Sequence, residues 1–243
     1  LNIYLQNDEN VKKVIDESKY LNQKLKNNLL IVRITRPTTV QIMDYIKEEL
    51  KHFPSIILLI DYGNKGFNKI TKEDFRKNNI GMIMLTPEMF KNKENIQSVL
   101  DLKIPIFKFG KENLKAVKRT VIILNDTNSY EQISPIVFDI SSQLKIKTKI
   151  FDLDPVGDKE GKTNLLDHFE NLAKIFNEKI EVVTSGQNPI RELKKQKDML
   201  QLLPLKEKMF KKRFFFKFLY TNSDFIAFDL NKYNQLLIPI VEE

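Results

Sequence analysis

Any chemistry done by this chain falls to carboxylates, lysines and hydroxyls, because it contains no cysteine and only two histidines, His52 and His168. Thiol nucleophiles, disulfides and cysteine-based zinc sites are excluded, and two lone imidazoles leave little for a His-rich metal site or a catalytic triad. Zero cysteine also suits a reducing cytoplasm. Two constellations remain. Asp152 and Asp154 bracket Leu153 at the end of the apolar run Ile150-Phe-Asp-Leu. A carboxylate pair at that spacing can attack an electrophile or hold Mg²⁺. The plain alternative is a strand end whose alternation sends one carboxylate to each side, to water or a nearby lysine. Gly157-Asp-Lys-Glu-Gly161-Lys162-Thr163 follows a strand and precedes a helix, which is the setting of a phosphate loop. That loop has the form G-x4-G-K-[ST], and here only three residues separate the glycines. The amides converge on a phosphate at one length only, so a polar turn with Thr163 capping a helix is the better reading.

Single residues carry less. Asp61 and Asp126 end strands, where open α/β sheets bind ligands; each can equally cap a helix. His168, between Asp167 and Phe169, reads as a surface residue of a helix, and His52 as a C-terminal helix residue facing the dipole.

The elements that position these groups repeat. Apolar runs at Asn2–Leu5, Leu29–Ile34, Ile56–Ile60, Gly81–Leu85 and Ile104–Phe109 read as strands. Between them, Val11, Val14, Ile15, Leu21 and Leu25 recur at helical spacing behind Asn7 and Asp8 as caps. Val40, Met43, Ile46 and Leu50 do the same behind Thr39, and a further helix spans Asn92–Leu100. The pattern restarts with strands at Thr120–Leu124, Thr148–Leu153, Lys179–Val183, Asp224–Phe228 and Leu236–Val241. Its helices carry Ile133, Val137 and Leu144, then Leu165, Phe169 and Phe176, then Leu193 and Leu200 behind Asn188-Pro189. Pro135 predicts that the first of these starts late or kinks. Near-continuous apolar strands imply a parallel sheet with helices on both faces. The reading is α/β: two tandem open parallel-sheet, Rossmann-like units, at residues 1–114 and 118–243. Ile104–Phe109 and Leu236–Val241 would be the apolar edges of the two sheets, and an internal two-fold pairing between them is expected.

The 243 residues carry a net charge of +8, and from Lys206 to Lys217 six basic residues stand against one acid. There Lys208, Lys211, Lys212, Arg213 and Lys217 interleave with Phe210, Phe214 and Phe218. This is either an amphipathic helix with a solvated basic rim or a contact patch for anionic lipid or an acidic partner. Nucleic acid is not expected, because no second basic stripe is present to follow a phosphate backbone. No apolar run approaches the ~18 residues of a membrane span. The chain opens on Leu1, so a piece of a longer protein is expected.

The second half resembles a universal stress protein domain. The likeness runs through Thr120-Val-Ile-Ile-Leu-Asn-Asp126, Ser129, Ile150-Phe-Asp-Leu153, Ile180-Glu-Val-Val183 and Gly186–Pro189, and the first half repeats it more loosely, with Asp8 where Asp126 stands. Tandem domains of this family also form cytoplasmic tails of cation/proton antiporters. The resemblance implies a non-catalytic regulatory or sensor module in the cytoplasm, at the inner face of the membrane if it belongs to a transporter. Asp126 and Asp8 would be its ligand-binding residues. Partners would be a protein, a membrane-embedded transporter domain, an anionic membrane surface, or a second copy of the chain. Members that bind ATP hold its phosphates on a glycine-rich stretch after the fourth strand. This chain has no glycine between Gly81 and Gly110 and none after Gly186, so no cofactor is expected.

A rival comes from another class. Asp152-Leu-Asp154-Pro-Val156 is similar to the nucleophile motif of haloacid dehalogenase phosphatases, which implies Asp152 as nucleophile, Asp154 as acid/base and Mg²⁺ as counter-charge. Thr184 or Ser185, Lys194 and Asp229 would serve as the later motifs. A stand-alone nucleotide-binding stress protein is the other alternative.

Overall fold

The computed structural model describes residues 1–5, 10–27, 29–35, 39–60, 72–73, 76–77, 80–89, 93–124, 127–152, 159–177, 180–184, 193, 195–205 and 232–240. Among the described residues ten strands form one open sheet. β1 (Asn2–Leu5) runs parallel between β2 (Leu30–Thr35) and β4 (Ile83–Leu85), with β3 (Ser55–Ile60) outside β2 and β5 (Ile106–Lys108) outside β4. β6 (Arg119–Leu124) runs parallel between β7 (Lys147–Asp152) and β9 (Met199–Leu205), with β8 (Ile180–Thr184) and β10 (Asn234–Pro239) outside them. The full order is β3-β2-β1-β4-β5-β10-β9-β6-β7-β8. Read inward from either outer edge, each half presents its third, second, first, fourth and fifth strands.

The halves meet where β5 and β10 pair antiparallel, Lys108 opposite Gln235 and Phe107 opposite Leu236. Two apolar edges have become the middle of the sheet, as the sequence led us to expect. Each covers the hydrogen-bonding row that the other would leave open to another chain.

Strand alternation feeds two cores. Ile3, Val32, Phe107, Ile122, Leu202 and Leu236 face one side, where α1 (Val11–Lys24), α2 (Val40–Leu50), α4 (Thr127–Leu144) and α5 (Lys159–Ile175) cover them. Tyr4, Ile83, Ile106, Val121, Leu203 and Leu237 face the other, with Met89 and with Leu100 from α3 (Lys93–Leu100). α4 and α5 lock together through Phe138, whose ring centroid lies 5.9 Å from those of both Phe169 and Phe176.

Five local expectations change. Met199–Leu205 is not the tail of a helix but the central strand β9, in which all seven residues are buried. β9 takes the fourth-strand place expected for Asp224–Phe228, a segment outside the described residues. α4 already starts at Thr127 and contains Pro135, so it does not start late. Thr163 lies inside α5, not at its cap, and Val40 is 75% exposed although its spacing matched the core face of α2. Finally, α1 begins at Val11 behind Asn10, a left-handed residue (φ 71°) whose side chain makes no capping bond; Asn7 and Asp8 lie outside the described residues.

Candidate functional site

Parallel strands bring their carboxyl ends to one rim of the sheet, and a ligand crevice opens where neighbouring strands lead their chains off in opposite directions. In this sheet those places lie between β1 and β4 and between β6 and β9. Asp8 and Asp126 follow β1 and β6 in sequence, but both lie outside the described residues, as do Asp61, Asp154 and the basic patch Lys208, Lys211, Lys212, Arg213 and Lys217. The segment holding that patch connects β9 to β10. Asp152 is the last residue of β7, between β6 and β8. Residues 159–163 already belong to α5, so Gly161 is helical, and residues 153–158 ahead of it lie outside the described residues.

Near the first crevice, a residue that sequence reasoning passed over is buried. Arg33 of β2, 4% exposed, stands in register with Tyr4 of β1, and its guanidinium carbon lies 6.0 Å from the centre of the Tyr4 ring. The Tyr4 hydroxyl accepts from Asn2 Nδ2 at 3.0 Å. Arg33 was legible only as one basic residue inside an apolar strand.

The two histidines take different places. His168 Nε2 lies 2.9 Å from Ser134 Oγ, tying α5 to α4. Ser134 is fully buried, so no substrate reaches its oxygen. His168 is thus a strut between helices rather than a free surface residue. His52 is exposed just past α2. Among the described residues no group of three or more His, Asp or Glu side chains could hold a metal ion.

The richest polar geometry lies where the halves join. On one face of the sheet Lys108, Gln235 and Gln201 form a buried row across β5, β10 and β9. Lys108 Nζ donates to Gln235 Oε1 at 3.2 Å, and Gln235 Nε2 donates to Gln201 Oε1 at 2.8 Å. At the end of β5, Gly110 N donates to Asn234 Oδ1 at 2.7 Å, and Lys111 N and Glu112 N share the Lys232 carbonyl at 2.9 Å each. The Tyr233 hydroxyl donates to the Gln196 carbonyl at 2.9 Å, and burial raises its ionisation above the usual tyrosine range. Here α1 also contributes a buried acid, Glu17, whose Oε1 accepts from Leu114 N at 2.9 Å. Burial pushes this carboxyl up to about 7. Interlocking hydrogen bonds of this kind fix one arrangement of the two halves.

No family model matches the sequence, and neither does any curated protein sequence. Solved structures do resemble it. A protein of Pseudomonas aeruginosa UCBPP-PA14 assigned to the universal stress proteins superposes with a TM-score of 0.65 at 10% identity, over 98% of this chain and 92% of that one. A universal stress protein from Archaeoglobus fulgidus DSM 4304 superposes with a TM-score of 0.60 at 12% identity, over 98% and 95%. The cytoplasmic domain of a prokaryotic cation chloride cotransporter does so with a TM-score of 0.57 at 12% identity, over 97% and 93%. The sheet order, the helices on both faces and these superpositions establish that the chain has the α/β fold of the universal stress proteins.

Proposed function

We propose that this chain is a non-catalytic regulatory module made of two universal-stress-like units, 1–114 and 118–243, and that it works as the cytoplasmic tail of a cation transporter of the antiporter kind. The observation that carries the reading is the seam. β5 and β10 close both halves into one sheet, and the cotransporter domain superposes on nearly the whole of that arrangement. A paired seam suits a body that transmits a signal between surfaces better than one that turns over a substrate. Among the described residues no helix is long and apolar enough to cross a membrane, so the reading needs a separate membrane domain as partner. Photo-crosslinking residues at Leu58, on the outer edge strand, and at Lys212 test it in cells that make the protein. Recovery of a cation-transporter membrane domain supports the reading, and adducts with soluble enzymes alone overturn it.

The same reading makes a prediction about nucleotide. β4 ends at Leu85 and β9 at Leu205, and the connections that follow them, 86–105 and 206–233, contain no glycine. Backbone amides cannot close on phosphates where every residue carries a Cβ. Calorimetry with Mg-ATP is expected to give a dissociation constant no tighter than roughly 100 μM. Low-micromolar affinity would instead favour a nucleotide sensor built on Asp126 or Asp8.

A further inference from the structure

α1 carries an acid where its pattern calls for an apolar residue. Glu17 lies three residues after Val14 and four before Leu21, on the buried face, and its side chain is 2% exposed. Oε1 takes the amide of Leu114, a contact across 97 residues of chain, while Oε2 is buried with no hydrogen-bond partner. One turn earlier Lys13, with Nζ 3.8 Å from Oε1, donates to the Gly110 carbonyl. Both anchors land on residues 110–116, the connection that leads from β5 in the first half to β6 in the second. The lead-in to β10 grips that connection too, through the Lys232 carbonyl and through Lys232 Nζ, which lies 3.4 Å from Glu112 Oε1. A groove of about 330 Å³ runs beside Glu17, lined by Asn10, Lys12, Asp16 and Lys115.

We propose that Glu17 is a proton-operated latch: as the neutral acid it holds α1 on the 110–116 connection, and on ionising it lets water in and frees that connection from α1. An ionised carboxylate requires donors at both oxygens, and only Oε1 has one. The adjoining groove supplies water to Oε2 once the contact loosens. Burial is the main cause of the raised pKa, with Asp16 adding to it; the Leu114 amide, Lys13 and Lys115 act against it. The charged groups that face Glu17 are thus Lys13 and Asp16 from α1 and Lys115 from the connection, while Glu112 is engaged by Lys232. Because the closed-state value, about 7, lies above the ordinary 4.5, the contact is at full strength below pH 4.5 and is lost as pH rises through 7.

Hydrogen exchange of the full chain between pH 6 and 8.5, corrected for intrinsic base catalysis, reads the latch directly. Protection of the Leu114 amide is expected to fall about tenfold across that window, while β6 keeps its protection. In Glu17→Gln the amide carbonyl still accepts from Leu114 but never ionises, so protection should stay level. Every other ionisable side chain remains in that variant. A wild-type profile that stays flat, or a loss that persists in Glu17→Gln, overturns the proposal. Should the variant fail to fold, the carboxyl carbon of Glu17 in the wild type decides by NMR. A titration midpoint near 7 sustains the latch, and one near 4.5 overturns it.

Discussion

Replacing Gly110 with alanine is expected to lower the stability of the chain by about 3 kcal/mol or more. A Cβ at this position would run into the carbonyl carbon and oxygen of Tyr233. Those are backbone atoms of the residue that leads into β10, so no side-chain rotation relieves the overlap. Moving them would disturb the bond from Gly110 N to Asn234 Oδ1 and the two amides on the Lys232 carbonyl. It would also disturb the Asn234 Nδ2 bond to the Glu112 carbonyl at 3.0 Å. For a chain of this length the loss corresponds to a fall in melting temperature of roughly 6–12 °C. Gly81 is the internal control, since nothing lies within 4 Å of a Cβ there. Gly81→Ala should be neutral or raise stability by up to about 1 kcal/mol, by narrowing the unfolded ensemble. Thermal melts of both variants decide the matter, and equal melting temperatures would mean that β10 can retreat from Gly110 at no cost.

The sheet could be read from the sequence largely because a parallel strand buried on both faces advertises itself. Leu30–Thr35, Ser55–Ile60 and Arg119–Leu124 are largely apolar and sit where their runs predicted, although Ile56, Leu58 and Leu59 of the edge strand β3 are exposed. Met199–Leu205 shows where that reasoning stops. Leu193 and Leu200 are seven apart, which fits a helix face, and a short apolar run does not reveal its period. Pro204 further disguises it, because proline is unusual in a central strand, yet here it stands opposite Ile238 of β10. Pairing with β6 and β10, both distant in sequence, decides the outcome. The placement of β9 moves the start of the last connection to residue 206 and shows that the basic segment belongs to it.

Much of the polar geometry was out of reach for a different reason. Glu17 stood in the sequence as one of two adjacent acids on an amphipathic helix, and only its spacing from Val14 and Leu21 marked it as inward-facing. What makes it singular is Leu114, a residue no local pattern connects to it. Arg33 and Lys108 gave the same kind of signal, a lone cation in an apolar strand, and both are buried. A charged residue at a core position is therefore the sequence feature that most deserved pursuit in this chain.

The basic segment between β9 and β10 should bind an anionic membrane surface, and charge reversal should abolish that binding. Lys208, Lys211, Lys212, Arg213 and Lys217 lie outside the described residues, and their charge density in the sequence is what would draw them to the membrane. Six cations and one acid fall within residues 206–217. Each Lys or Arg near a charged leaflet contributes about 1 kcal/mol. Changing Lys211, Lys212 and Arg213 to Glu removes three attractions and adds three repulsions, a swing of roughly 6 kcal/mol, enough to empty the bound state. Phe210, Phe214 and Phe218, spaced among the cations, would add apolar contact at the headgroup boundary. The wild-type chain is expected to pellet with vesicles of about three parts phosphatidylserine to seven of phosphatidylcholine at low salt, and to release as ionic strength shortens the screening length. The triple variant should stay in the supernatant with an unchanged circular dichroism spectrum, and neither protein should pellet with vesicles of phosphatidylcholine alone. Equal pelleting of wild type and variant would make the segment a solvated rim and leave the membrane contact, if the chain has one, to a partner protein.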